Sequence, residues 1–142
     1  MPLIKFFCLL IFSFLLVTFS STNSDDHVLH KEEIGYGVVL KILNKVSTKR
    51  FEVVSPIGQS LELEMHKFVV FKCVVIDKNK IDEHLALLKF ESIEKNPNVP
   101  DFLGWLIKSS PSLNNIEHPI LDIKLESCLK NDPLFPNIKL LN

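Results

Sequence analysis

The chain has 142 residues, a formal net charge of −1 and a hydrophobic fraction of 46%. Frequent Val, Ile, Leu and Phe exclude a disordered polymer, and a charge this close to neutral singles out no class of partner. Lys, Asn and Ile are common and only four glycines occur, too few for a phosphate-cradling loop.

Lys5 precedes an apolar run from Phe6 to Phe19, and small polar residues follow at once. The run falls short of the roughly 20 residues of a membrane span, and Thr18 and Ser20 occupy the small-residue positions of a cleavage site. Residues 1–20 therefore read as a secretory signal peptide, leaving a mature chain without a membrane span. Residues 21–33 are polar, acidic and without periodicity, a flexible N-terminus ahead of one globular domain over 34–142. Between Gly35 and Ile76 six basic residues stand against three acidic ones, a mildly basic body between acidic ends.

Residues 36–43 carry Val38, Leu40 and Ile42 on one face and Val39 and Leu43 on the other, which predicts a strand. A polar loop over 44–49 leads to a second strand, with Phe51 and Val53 alternating against Glu52. Ser55-Pro56-Ile57-Gly58 has the proline and glycine of a tight turn, so the chain reverses there. Residues 59–65 alternate, with Leu61, Leu63 and Met65 inward and Glu62 and Glu64 outward, and the apolar run 68–76 predicts a central strand. After Asp77 the period changes. Asn79 suits an N-cap, and Ile81, Leu85 and Leu88 form a stripe at helical spacing that predicts a helix to about Glu94. Pro100 stands at the first position of a short helix around Trp105. Residues 120–129 fit a strand through Leu121, Ile123 and Leu125, or a helix through Leu121, Leu125 and Cys128; the helix is preferred. The expected fold is α+β, a curled antiparallel four-stranded meander over about 36–76 followed by two or three helices.

No catalytic constellation emerges, and no cofactor or metal is expected. The serines lie in polar loops without a nucleophile elbow. Glu62 and Glu64 share a solvated strand face with no apolar pocket to shift them. His27 and His30 stand three apart in a stretch without helical pattern, and His66, His84 and His118 have no partner at ligand spacing. A cystatin-type inhibitor is excluded, because Gln59 is followed by Ser60, Leu61, Glu62 and Leu63 in place of its binding hairpin. Once Cys8 leaves with the leader, Cys73 and Cys128 remain. An oxidising compartment favours their pairing, and closing a 55-residue loop contributes about 4 kcal/mol. No Asn-x-Ser/Thr acceptor is present.

The one cluster with binding chemistry is the first hairpin, where Lys41, Lys45, Lys49 and Arg50 surround Phe51, a combination suited to phosphate contact and base stacking. The runs Gly37-Val-Val-Leu-Lys-Ile, Lys49-Arg-Phe-Glu-Val-Val-Ser-Pro-Ile-Gly-Gln and Leu61-Glu-Leu-Glu-Met-His-Lys-Phe-Val-Val-Phe resemble a small SH3-like barrel. A similar barrel precedes the catalytic region of organellar ribonuclease II-like exonucleases, with helices after it. The acidic metal-binding catalytic region of that family has no counterpart here, so the resemblance implies an RNA-contacting accessory role and no exonuclease activity.

The sequence thus reads as a secreted, non-catalytic interaction module with an unknown protein partner. The alternative is an organelle-targeted nucleic-acid-binding barrel reached through a bipartite signal. The acidic residues Asp25, Asp26, Glu32 and Glu33 after the leader favour secretion over it, because transit peptides are poor in acid.

Overall fold

Among the described residues the long apolar segments pair their backbones as β-strands: β1 (Lys31–Gly35), β2 (Gly37–Asn44), β3 (Arg50–Pro56), β4 (Ser60–Leu63), β5 (His66–Lys78), β6 (Ile81–Ser92), β7 (Phe102–Ile107), β8 (Leu121–Leu129) and β9 (Asn137–Leu141). The computed structural model describes residues 31–78, 81–94, 97–98 and 100–141. The expected signal peptide over 1–20, the segment 21–30, the pair His27 and His30 and the expected N-cap Asn79 lie outside them.

The strands form two antiparallel sheets. One has the order β1-β5-β6-β7, with β4 also paired to β5; the other has the order β8-β2-β3-β9. They stack face to face, β8 over β6 and β2 over β5, as a β-sandwich. Between them lie Leu40 and Ile42 of β2, Val53 of β3, Phe68 and Val70 of β5, Leu88 and Phe90 of β6 and Ile123 of β8, each at most 1% exposed. Burying such a side chain contributes roughly 1.5–3 kcal/mol, so this shared layer is the main stabilising term.

A disulfide between Cys73 of β5 and Cys128 of β8 ties one sheet to the other. Both cysteines reach the interior through a bulge. In β5 the register shifts around Phe71, so that Phe68 and Val70 point inward before it and Cys73 and Val75 after it. In β8 it shifts around Glu126, with Leu121, Ile123 and Leu125 inward before it and Cys128 after it. A one-residue slip exchanges the two faces of a strand, so without these bulges each sulfur would leave the core. Gly35 pairs with Cys73 beside the bridge. A Cβ there would stand 2.9 Å from that of Cys128, so the close approach requires glycine. One residue later the chain crosses from one sheet to the other, with Tyr36 N–H donating to the Leu129 carbonyl.

The fold is all-β, and the expectation of an α+β domain is corrected: no helix occurs among the described residues. The four strands expected as a meander are present, and β2 pairs with β3 and β4 with β5, but β3 and β4 do not pair. β3 ends at Pro56, the chain turns through Ile57 and Gly58, and β4 joins the opposite sheet, so the SH3-like barrel does not close. Met65, expected inward, is 55% exposed and lies with Glu64 in the two-residue turn between β4 and β5, both at positive φ. The segment expected flexible to Glu33 contributes Lys31–Glu33 to β1.

The expected helices are β6, β7 and β8. In β6 the stripe Ile81, Leu85, Leu88 is incidental: Ala86, Leu88 and Phe90 face the core while Leu85 and Leu87 face away. Both faces are apolar, so the period of two is hidden. In β8 the bulge at Glu126 sets Leu121, Leu125 and Cys128 at helical spacing along a strand. Pro100 precedes β7, an edge strand, where a proline is tolerated.

Candidate interaction surfaces

The five residues of the first hairpin do not gather on one surface. Phe51 is half-buried, packing part of its ring against the core. Lys41 faces outward and pairs with Glu126 at 2.9 Å; this hydrogen bond, against a smaller opposing effect of burial, holds the Glu126 carboxyl below its ordinary range. Lys45 turns toward the β7–β8 loop, where its Nζ donates to the His118 carbonyl at 2.7 Å. Lys49 is exposed at the hairpin loop and Arg50 opens β3. Lys41, Arg50 and Phe51 line a shallow cleft of about 140 Å³ together with Asp122 and Lys124.

The structure unites two histidines 52 residues apart in sequence. The His66 and His118 rings meet edge to face at 4.5 Å, and His66 stacks on Phe90 at 5.1 Å. His118 is 5% exposed, and its Nδ1 accepts from the backbone N–H groups of Ile120 at 3.2 Å and Leu121 at 2.9 Å. That acceptor role places the proton of the neutral ring on Nε2. Burial lowers the His118 pKa, and the neighbouring His66 and Lys45 lower it further. With Nδ1 committed to the turn, His118 is no general base through that atom; it docks the loop onto the end of the sandwich. A cleft of about 430 Å³ beside it is lined by Lys45, Glu117, Pro119 and Asp122 among others. Nδ1 of His66 is buried without a hydrogen-bond partner among the described residues. No group of three metal-ligating side chains occurs among them either.

His84 has a similar structural task. Its Nδ1 accepts from the Cys128 N–H at 3.1 Å, joining β6 to β8 beside the disulfide, and burial followed by Lys108 lowers its pKa. Sequence spacing gave no hint of the His66–His118 pair or of the His84 bond, because each partner arrives from a different strand or loop.

The larger feature is the outer face of the sheet β1-β5-β6-β7. Ile34, Val74, Leu85 and Ile107 stand in register across its four strands as an unbroken apolar row. The next row brings Leu87 beside Trp105, and the bulge residue Phe71, 47% exposed, projects close to both rows. Ile34 and Leu103 are more than half exposed, and no layer of the described chain covers them. The sheet's open edge is closed differently: the Asn114 side chain donates to the Trp105 carbonyl at 2.8 Å, occupying the free side of β7. Gly104 permits that approach, since a Cβ there would stand 2.9 Å from the Asn114 amide.

The family model described as "Uncharacterized protein conserved in bacteria (DUF2155)" matches residues 38–128, from β2 through Cys128, and so includes both cysteines and the histidines at 66, 84 and 118. An uncharacterised protein of Rickettsia prowazekii (strain Madrid E) is 29% identical over 110 residues, covering 75% of this chain and 70% of that protein. Neither description states an activity, ligand or partner. No solved structure matches the chain. With the match running across seven of the nine strands, the chain belongs to this family of uncharacterised bacterial proteins.

Proposed function

We propose that the protein is an exported, non-catalytic interaction module that docks its partner on the outer face of the sheet β1-β5-β6-β7. The carrying observation is the apolar row Ile34, Val74, Leu85 and Ile107 with Trp105 beside it, on a sheet whose other face is already buried. A contiguous apolar patch on a soluble domain marks an interaction site. Export is supported by the leader-like run Phe6–Phe19 and by the Cys73–Cys128 bridge, which suits an oxidising compartment outside the cytoplasm. The nucleic-acid alternative draws less support: Phe51 packs part of its ring against the core, Lys41 is paired with Glu126, and Lys45 is engaged by the His118 carbonyl.

The test is made in the native cell. A photo-crosslinking side chain is placed at Leu87, on the apolar face, and separately at Lys41, on the charged one, in a tagged full-length chain, and the cells are fractionated. Crosslinks from position 87 but not 41, in an extracytoplasmic fraction, are expected. Equal crosslinking from both positions, or none from 87, overturns the reading, as does recovery of the chain in the cytoplasm with free thiols.

A further inference from the structure

We infer that the partner of the apolar face is a second copy of this chain, the two sheets stacking on one another about a two-fold axis. The inference rests on the interaction reading above and names its occupant.

Shape comes first. A twisted antiparallel sheet packs best against another of the same twist, about 10 Å away with strands roughly 30° apart. An identical face supplies that twist by construction, and an isologous two-fold contact is the commonest way for soluble chains to associate.

Size is adequate. The face spans four strands, about 19 Å, and the nine β6 residues from Glu83 to Glu91, about 27 Å, at ordinary strand spacing and rise. A planar footprint of about 500 Å², enlarged by side-chain relief, approaches the roughly 800 Å² per partner of a standard interface.

Charge permits self-association and gives a polyanion nothing. Lys67, Lys72 and Lys89 face outward in the register rows of this sheet together with Glu32, Glu62, Glu83 and Glu91. The near balance leaves little net repulsion between two copies, whereas a nucleic acid or an anionic bilayer would find no basic field.

Edge-to-edge association is obstructed on this sheet. Asn114 occupies the Trp105 carbonyl on the open edge of β7. The opposite edge of the sheet is divided between β1, which pairs with the later half of β5, and β4, which pairs with its start. Neither edge of this sheet offers the long unbroken ladder that strand addition needs, so within this sheet association falls to the face.

The chain holds a single tryptophan, Trp105, and it lies on this face, so its emission reports whether the face is covered. The experiment uses the exported, oxidised protein, followed by sedimentation velocity and Trp105 fluorescence from nanomolar to high micromolar concentration. A monomer–dimer transition with a matching blue shift is expected. Leu87→Glu should weaken it by roughly a hundredfold or more, because the dimer would bury an unpaired charge. Ile34→Lys, at a site 68% exposed in the single chain and safe for folding, should do the same. Far-ultraviolet circular dichroism and thiol counting establish that each variant keeps its sheets and its bridge.

A chain that stays monomeric throughout, with unshifted Trp105 emission, overturns the second copy. If position 87 still crosslinks to a different protein in cells, the interaction reading survives that result; if it does not, both fall. A dimer indifferent to Leu87→Glu and Ile34→Lys also overturns the inference, because association would then use another surface.

Discussion

The two outer faces of the sandwich are built on the same antiparallel geometry and carry opposite chemistry. Across the sheet β8-β2-β3-β9 one register row reads Lys124, Lys41, Glu52, Lys139; across β1-β5-β6-β7 the corresponding kind of row reads Ile34, Val74, Leu85, Ile107. That row of the first face is charged, with ion pairs such as Lys41–Glu126 and Lys124–Asp122, and the rows beside it mix Val39, Val54 and Leu43 with polar residues. The second face leaves Ile34, Phe71 and Leu103 against solvent and Leu85, Leu87, Trp105 and Ile107 half-buried, while Val74 in its central row is only 7% exposed. Antiparallel sheets commonly cover one face and solvate the other, and only one of these two sheets follows that habit. The proposed docking surface lies on the sheet that departs from it.

The comparison is open to four perturbations. The largest effect comes from cutting the tie between the regions: replacing both Cys73 and Cys128 by alanine should lower unfolding free energy by about 4 kcal/mol, the loop-closure value for 55 residues, as read by denaturant titration. A loss below 1 kcal/mol would mean that core packing alone holds the sheets in register.

Next is a pair of neighbours on opposite faces of β6. Leu88 is fully buried between the sheets, whereas Leu87 faces outward beside Trp105. Leu88→Ala should cost about 3 kcal/mol, and Leu87→Ala about 1 kcal/mol or less in dilute protein. Equal losses would place the outer face in a covered core and dissolve the distinction between the two surfaces.

A smaller effect is expected from acid. His118 and His84 have folded pKa values below the ordinary histidine value of 6.5, chiefly through burial. The unfolded chain therefore binds protons at these rings more readily, and folding stability is fully present above pH 6.5 and falls as pH drops below it toward the folded values. His118→Asn keeps a side-chain acceptor for the Ile120 and Leu121 amides while removing the titration, so it should flatten this slope in thermal unfolding between pH 7 and 5. An unchanged slope would assign the acid sensitivity elsewhere.

The smallest effect belongs to the charged face. Lys41 and Glu126 are each about half exposed, and exposed pairs contribute up to about 1 kcal/mol. Removing both charges, as Lys41→Met with Glu126→Gln, should change stability by no more than that and leave crosslinking from Leu87 untouched. Lost crosslinking would show the two faces to be coupled.

The sequence was readable where each strand keeps one polar face. Of the alternating segment 59–65, Ser60–Leu63 became β4, Val38, Leu40 and Ile42 marked the inner side of β2, and the turn at Pro56–Gly58 followed from its residue types. The pairing of Cys73 with Cys128 was favoured over two buried thiols by an even count and the expectation of export. Reading failed where the outer face is apolar. In Leu85-Ala-Leu-Leu88 every residue is a core candidate, so periodicity distinguishes neither face from face nor strand from helix. The candidate site shares that cause, because the uncovered row that makes it a surface also disguised its strands.

By itself, then, the sequence favoured the cysteine pairing and marked the first strands, both of which depend on residue type and short spacing. The division into two sheets, the bulges at Phe71 and Glu126 that turn the cysteines inward, the meeting of His66 with His118, and the exposure of the Trp105 face were decided only by tertiary structure. Each arises from pairing between segments remote in the chain, and a window of neighbouring residues carries no record of which strand will lie alongside, or of which apolar face will be left facing water.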